Sequence, residues 1–244
     1  MQGYGEFARI YDVLTEDVDY KSRCDYIEGI FEKHSDSKPH LIADLACGTG
    51  SVCMEMDSRG YDMIGIDLSP DMLSVATDKS EGRSILYINQ DICDFELYGT
   101  VDAFLCMLDS VNHLTEDEDI DDLLSLVHNY LNPNGLFVFD VNTLYKFENV
   151  LSDNVFTYDN GEIFYAWEND YADEICRINV NFFVKEGDGY KRITQEHEER
   201  YYSSEFLRDK AEEHGFTVEA VYGELSFDSP APDCQREFWV LKKK

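Results

Sequence analysis

Leu41 to Asp67 reads LIADLACGTGSVCMEMDSRGYDMIGID, an apolar run, a glycine pair, a helical pattern and a second apolar run that ends in an acid. Leu41, Ile42 and Leu45 make a short strand without polar alternation, as parallel strands covered on both faces do. Gly48 and Gly50 let the backbone turn sharply and approach a ligand more closely than a side chain allows. Asp67 stands 19 residues beyond Gly48 at the tip of the second strand. There a carboxylate can accept two hydrogen bonds from a ribose diol, the role acids take in dinucleotide folds. The stretch is therefore a strand, turn, helix and strand built around a nucleoside.

The details of the loop narrow the ligand. A dinucleotide fingerprint needs G-x-G-x-x-G so that a pyrophosphate lies on the helix N-terminus, and Cys53 takes the third glycine position here. A P-loop needs a lysine after its last glycine, where this chain has Ser51-Val52. The remaining pattern, Asp44-Leu45-Ala46-Cys47-Gly48-Thr49-Gly50, resembles the D-x-x-x-G-x-G signature of class I S-adenosylmethionine-dependent methyltransferases. The competing reading is a chance glycine turn in another doubly wound protein.

Further segments fall in the order that the resemblance implies. Asp67-Leu68-Ser69-Pro70-Asp71-Met72-Leu73 follows the second strand, with Ser69 as N-cap and Pro70 at the first helical position. Tyr87 to Ile92 ends a third strand in an acid and an aliphatic residue. In the family this pair faces adenine, the carboxylate toward the exocyclic amine and the aliphatic side chain toward the ring. Val101 to Asp109 is a fourth strand, and Leu131 to Asp140 a turn and fifth strand. The resemblance implies S-adenosyl-L-methionine as cofactor, held by Asp44, Ala46, Gly48, Gly50, Asp67, Leu68, Met72, Asp91, Ile92 and Cys106. It implies an α/β fold: a Rossmann-like seven-stranded methyltransferase sheet carrying an inserted antiparallel β cover.

At 244 residues, with 43% hydrophobic and 14% aromatic content, the chain is long enough for one domain with an insertion and is not disordered. Seven cysteines, an odd number without a C-x-x-C pair, indicate neither a disulfide framework nor a zinc site. No apolar run is long enough to cross a membrane, and Met1 to Glu6 lacks the basic and apolar regions of a signal peptide, so a cytoplasmic protein is expected. Fifty-one acidic against 20 basic residues give a net charge of -31, with no basic cluster except Lys242-Lys243-Lys244. Binding to nucleic acid is disfavoured, because phosphate contacts need Lys and Arg. Such a field suits a neutral or cationic small molecule such as an amine, although solubility alone also accounts for it.

The rest of the chain organises around this core. Residues 3–14 and 19–33 have amphipathic helical patterns, Ser35 to Pro39 is a loop, and Thr115-Glu116-Asp117-Glu118 has the form of a capping box for a helix over 116–130 that Gly135 follows. After Asn142 the pattern changes. Residues 155–169, 175–185 and 190–202 are rich in Phe, Tyr, Ile and Val, with turns at Asp159-Asn160-Gly161 and Glu186-Gly187-Asp188-Gly189, which is antiparallel hairpin material. Ser203-Ser204 starts a helix that Gly215 ends, and Phe216–Tyr222 and Glu237–Leu241 supply the last strands. The expected division is a core of residues 1–150 and 203–244 with a cover of 151–202. In the family such insertions commonly cover the substrate, and small-molecule N-methyltransferases, amino-sugar enzymes among them, have a similar layout.

Methyl transfer is an in-line displacement in which the protein supplies positioning, desolvation and proton removal. The expected reaction transfers a methyl group to nitrogen or oxygen of a small metabolite; a non-catalytic sensor or partner subunit using the same cofactor site is the alternative. Substrate contacts are expected at Asp109, Ser110, Asn112 and His113 and at Tyr4 and Tyr11. Tyr11 is the candidate to close over the methyl group, although Tyr4, Phe7, Ile10 and Tyr11 also have the spacing of one packed helical face. His113 can take a proton near neutral pH, or cap a helix. His197, Glu199 and Tyr201 share one face of a strand, either lining the acceptor cavity or facing solvent. No metal is expected, because His113, His128 and His197 are far apart in sequence.

Overall fold

Alternation along the central strands sets the layers. Phe137 and Phe139 point to one face and Leu136 and Val138 to the other, as successive strand side chains must, and both sets are buried. The computed structural model describes residues 4–244, with side chains from Phe7 onward. In chain order the elements are α1 (Tyr4–Leu14), α2 (Tyr20–His34), β1 (Leu41–Leu45), α3 (Ser51–Ser58), β2 (Asp62–Asp67), α4 (Pro70–Lys79), β3 (Leu86–Asn89), β4 (Val101–Cys106), a 3-10 turn (Ser110–His113), α5 (Asp117–Tyr130) and β5 (Leu131–Asn142). There follow α6 (Leu144–Lys146) running into a π turn (Phe147–Leu151), β6 (Val155–Asp159), β7 (Ile163–Ala172), β8 (Ile175–Glu186), β9 (Gly189–Arg200), α7 (Ser204–Glu213), β10 (Phe216–Gly223) and β11 (Arg236–Lys243).

The main sheet has seven strands in the order β10-β11-β5-β4-β1-β2-β3. The β1, β2, β3, β4 and β5 pairings are parallel; β11 lies antiparallel to β5 and β10 antiparallel to β11. One face packs Ala43, Phe104, Phe137 and Trp239 against Leu123, Val127 and Leu207 from α5 and α7. The opposite face packs Ile42, Leu105, Val138 and Phe238 against Ile27 and Ile30 of α2 and Val52 and Met56 of α3. Burial on both faces is why β1 lacks polar alternation. Between β1 and β4 the chain reverses its winding direction, and in open α/β sheets ligands bind at the carboxyl ends of the strands at that point.

The remaining four strands form a separate antiparallel sheet, β6-β7-β8-β9. Ile178, Val180, Phe182 and Ile193 from its inner face pack on Phe147 and Leu151 of the π turn and on Phe7 and Ile10 of α1. Two of its turns fall on the glycine-bearing segments read from the sequence. The third, at Asp173-Glu174, holds both residues at positive φ, 53° and 66°, without glycine.

Caps and strand ends refine the sequence expectations. Ser69 caps α4 by accepting from the Met72 amide, and Ser203 caps α7 by accepting from the Phe206 amide. The cap of α5 is Glu116 and not Thr115; Asp119 answers it by accepting from the Glu116 amide at 3.4 Å, one residue later than the expected box. The third strand ends at Asn89, two residues before Asp91. The fourth ends at Cys106, because Leu108 and Asp109 turn left-handed at φ 60° and 55°. No separate turn precedes β5: Leu131 pairs with Val101 and Leu136 with Ala103, so 132–135 bulge out of the strand. Residue 3 of the expected first helix and the side chain of Tyr4 lie outside the described residues.

Candidate active site

Three residues in alternate positions leave the tip of β1 in the left-handed region: Ala46 at φ 55°, Gly48 at 54° and Gly50 at 75°. A Cβ on Gly50 would collide with the hydroxyl of Tyr87, and one on Gly48 would stand 3.8 Å from the ring of Tyr11. The loop thus needs glycine for conformation and for space. Ala46 and Leu108, non-glycine residues held left-handed at the tips of neighbouring strands, line one cleft with Tyr11, Gly48, Thr49 and Ser110. Such backbone strain concentrates where a ligand is clamped.

Asp67 is tied to this loop. The Gly48 amide donates to its Oδ2 at 2.8 Å and the Ser69 amide to its Oδ1 at 2.8 Å. A carboxylate accepts about four hydrogen bonds, so capacity remains for the two hydroxyls of a ribose. The Asn89 amide donates to the Asp67 and Leu68 carbonyls and fixes the turn, leaving Leu68 66% exposed as an open apolar surface. Asp91 follows β3, its Oδ1 accepting from the Cys93 amide, and Ile92 beside it is buried. Met72 lies in the first turn of α4. This donor and acceptor set fits S-adenosylmethionine: a free carboxylate edge for a diol, an apolar face for a ring, and a glycine-bared loop whose neighbouring cation, Lys79, is already paired with Asp12.

Two members of the expected cofactor set sit deeper. Asp44 is 2% exposed, accepts from the Cys53 thiol at 3.3 Å, and burial pushes its carboxyl up to about 7. Cys106 is fully enclosed in the core; at the tip of β4 the cleft is lined by Met107 and Leu108 instead. The helix α1 closes the other side. Lys79 pairs with Asp12 at 2.7 Å and reaches Thr49 at 3.1 Å, and Thr49 donates to Asp12 at 2.6 Å, so α1 is fastened to the glycine loop. Burial, with Tyr20 and the carboxylates of Asp109 and Asp67 nearby, pushes the Tyr11 hydroxyl up, so it stays protonated.

The second half of the site gathers around the 3-10 turn. His113 at its end and His197 of β9 bring their rings to 5.1 Å, and with the Glu199 carboxylate their donor atoms lie within 4.8 Å of one another. Distance in sequence is therefore not distance in space here: the fold joins two of the three histidines considered. Burial, then the neighbouring His113, pushes the His197 imidazole down to about 4. Burial, then Asp109, pushes the Glu199 carboxyl up. Asn142 donates to Glu199 at 2.8 Å and to Asp109 at 3.1 Å while accepting from the Lys146 ammonium at 2.8 Å.

Beneath this cluster lies a buried ion network. Arg236 of β11 pairs with Asp109 at 2.6 Å and with Asp140, which Arg23 approaches at 3.6 Å. Although burial works against it, the Arg236 guanidinium holds the Asp109 carboxyl well below its ordinary value. Asp109 is therefore an ionised anchor. Asn112 is fully buried and structural, donating to the Arg200 carbonyl and accepting from the Asn142 amide. Ser110 donates to the Met107 carbonyl and still faces the cleft. Tyr201 leaves the face expected for it: β9 ends at Arg200, and the Tyr201 ring turns to Phe147. Sequence reasoning missed Asn142, Lys146 and Arg236. For Asn142 and Arg236 the signal was present as polar residues inside apolar strands, F-V-F-D-V-N and R-E-F-W-V-L, where a buried polar group needs a partner; Lys146, in α6, carried no such signal.

Comparison with known proteins places the chain. Residues 42–135 match the family model of the methyltransferase domain. The chain is 31% identical to a putative methyltransferase of Bacillus subtilis (strain 168), over 98% of this chain and 97% of that one. It superposes on the crystal structure of an S-adenosylmethionine-dependent methyltransferase from Clostridium acetobutylicum ATCC 824 with a TM-score of 0.90 and 33% identity, covering 98% of both chains. Over 56% of its length, and 53% of the relative's, it is 28% identical to the dTDP-3-amino-3,6-dideoxy-alpha-D-glucopyranose N,N-dimethyltransferase of Streptomyces fradiae.

Proposed function

The chain belongs to the S-adenosylmethionine-dependent methyltransferases, and we propose that it methylates nitrogen or oxygen of a small neutral or cationic metabolite, an amine above all. The observation that carries this reading is that the 3-10 turn joins two features: its first residue, Ser110, lines the switch-point cleft, and its last, His113, meets His197 and Glu199 of β9 in a cluster of proton-accepting groups. When bound, the cofactor supplies an electrophilic methyl group on a sulfonium.

The protein's own residues do the rest. Asp67, Gly48 and Gly50 hold the nucleoside, with Leu68, Met72, Asp91 and Ile92 around the base and Asp44 and Ala46 at the strand tip. Tyr11, protonated and set against Gly48, excludes water at the mouth of the cleft. His197, kept neutral by burial, and His113 accept the proton that an amine or hydroxyl must lose, with Glu199 beside them. Residues 151–202 act as the cover over the acceptor, carried on a core of 1–150 and 203–244.

Charge and kinship support the acceptor class. A net charge of -31 favours cations and opposes polyphosphate backbones. The Streptomyces fradiae relative is named for methylating an amino sugar. No helix among the described residues is long and apolar enough to cross a membrane, and all seven cysteines are unpaired, which supports a cytoplasmic setting. The test is transfer of labelled methyl from the cofactor to a metabolite extract. Label should collect in the low-mass, amine-bearing fraction. Label appearing only in nucleic acid or protein would overturn the proposed acceptor.

A further inference from the structure

We propose that His113, His197 and Glu199 form a site for a divalent transition ion of the zinc type, open on the side of the acceptor. The three donor atoms lie within 4.8 Å of one another. A tetrahedral ion with bonds of about 2.0–2.2 Å sets its ligand atoms roughly 3.4 Å apart, so a modest inward movement completes the set. His197 and Glu199 are alternate residues of β9 and leave the same face of a strand held in register along its whole length by β8. They are the fixed ligands. His113, itself exposed, ends the otherwise largely buried 3-10 turn and is the adjustable one.

Three further features suit a cation. Among the described residues no protein hydrogen bond reaches either imidazole; their contact is with each other. Glu199 is 3% exposed, and Lys146, whose ammonium acts on it through space, donates to Asn142 instead of to the carboxylate, which leaves a buried charge incompletely paired. Finally, Asn142 donates to one oxygen of Glu199 and is itself fixed by Lys146 and by Asn112, leaving the second carboxylate oxygen for an ion. A donor that orients a ligating carboxylate in this way is the usual outer support of a metal centre.

The donor set selects the ion. Two imidazoles and one carboxylate suit zinc, cobalt, nickel or ferrous iron, whereas magnesium and calcium require oxygen ligands. Three protein ligands leave positions for water or for an oxygen or nitrogen of the acceptor. An ion and a proton compete for the same imidazole nitrogens, so the loaded site cannot also serve as the proton acceptor described above.

The test is titration of the untagged full chain with Co2+, read by its visible absorption, without cofactor or acceptor present. One equivalent of Co2+ should bind with the intense bands of a low-coordinate N/O site, and Zn2+ should displace it. His113→Ala, at an exposed position, and Glu199→Gln should each weaken binding at least tenfold while circular dichroism stays that of the parent. Absence of saturable one-to-one binding, or parent-like affinity in folded His113→Ala, overturns the site. Because the readout needs no turnover, failure here leaves the methyl-transfer reading standing, and failure of methyl transfer leaves the metal site standing.

Discussion

The two halves of the site are built by opposite means. At the cofactor end, recognition groups come from one run of chain, residues 44–92, and much of the work is done by backbone: the Gly48 and Ser69 amides on Asp67, a left-handed loop, and a turn tied by Asn89. At the acceptor end, the 3-10 turn, β5, α6, β9 and β11 each contribute one or two side chains, and those side chains hold one another. A common ligand can be met by a fixed backbone frame.

That contrast can be broken most forcefully at Arg236. Replacing it with methionine leaves Asp109 buried without its paired cation and Asp140 with Arg23 at 3.6 Å alone, which should cost about 3–5 kcal/mol of stability in urea unfolding. The exposed pair at the cofactor end, Lys79 and Asp12, should cost about 1 kcal/mol or less when Lys79→Ala removes it. Equal costs would erase the distinction. His197→Ala should come next, lowering turnover about 100-fold or more, the range for loss of a general base, while cofactor affinity stays within roughly a few tenths of a kcal/mol. Parallel loss of both would mean that the halves are not separable. Asp67→Ala should weaken S-adenosylmethionine binding by about 1.5–3 kcal/mol in calorimetry, the scale of a hydrogen bond to a charged group.

The most gradual effect is a pH dependence at Asp44. Its folded carboxyl is raised to about 7 by burial, above its value in an unfolded chain. Between about pH 4 and pH 7 the folded state therefore holds a proton that the unfolded state has released. Stability from this group is present at the acid end and lost as pH rises, with a slope of at most about 1.4 kcal/mol per pH unit. Asp44→Asn should flatten the curve relative to the parent. An unchanged difference between pH 4 and pH 7 would show that Asp44 ionises normally.

The same division explains what could be read from sequence. The glycine loop, Asp67, the Ser69 cap and the hairpin turns at Gly161 and Gly187 follow from local chemistry, and spacing reveals them. The Asp173-Glu174 turn carried no glycine, and the left-handed turn that shortens β4 is imposed by tertiary packing, so neither was legible. His113 and His197 were named singly, but their meeting depends on how the second sheet docks against the 3-10 turn. Asn142 and Arg236 announce only that something polar is buried. Which partner each takes is a property of the sheet order, which places β11 beside β5.

The two halves of the site work together only if a nucleoside held at Asp67 directs its sulfur toward the acceptor cluster. A crystal structure with S-adenosylhomocysteine tests it. Both ribose hydroxyls should donate to Asp67, with the sulfur at the mouth lined by Tyr11 and Ser110 on the side of His113 and His197. A nucleoside bound away from Asp67, or a sulfur turned away from those histidines, would contradict it.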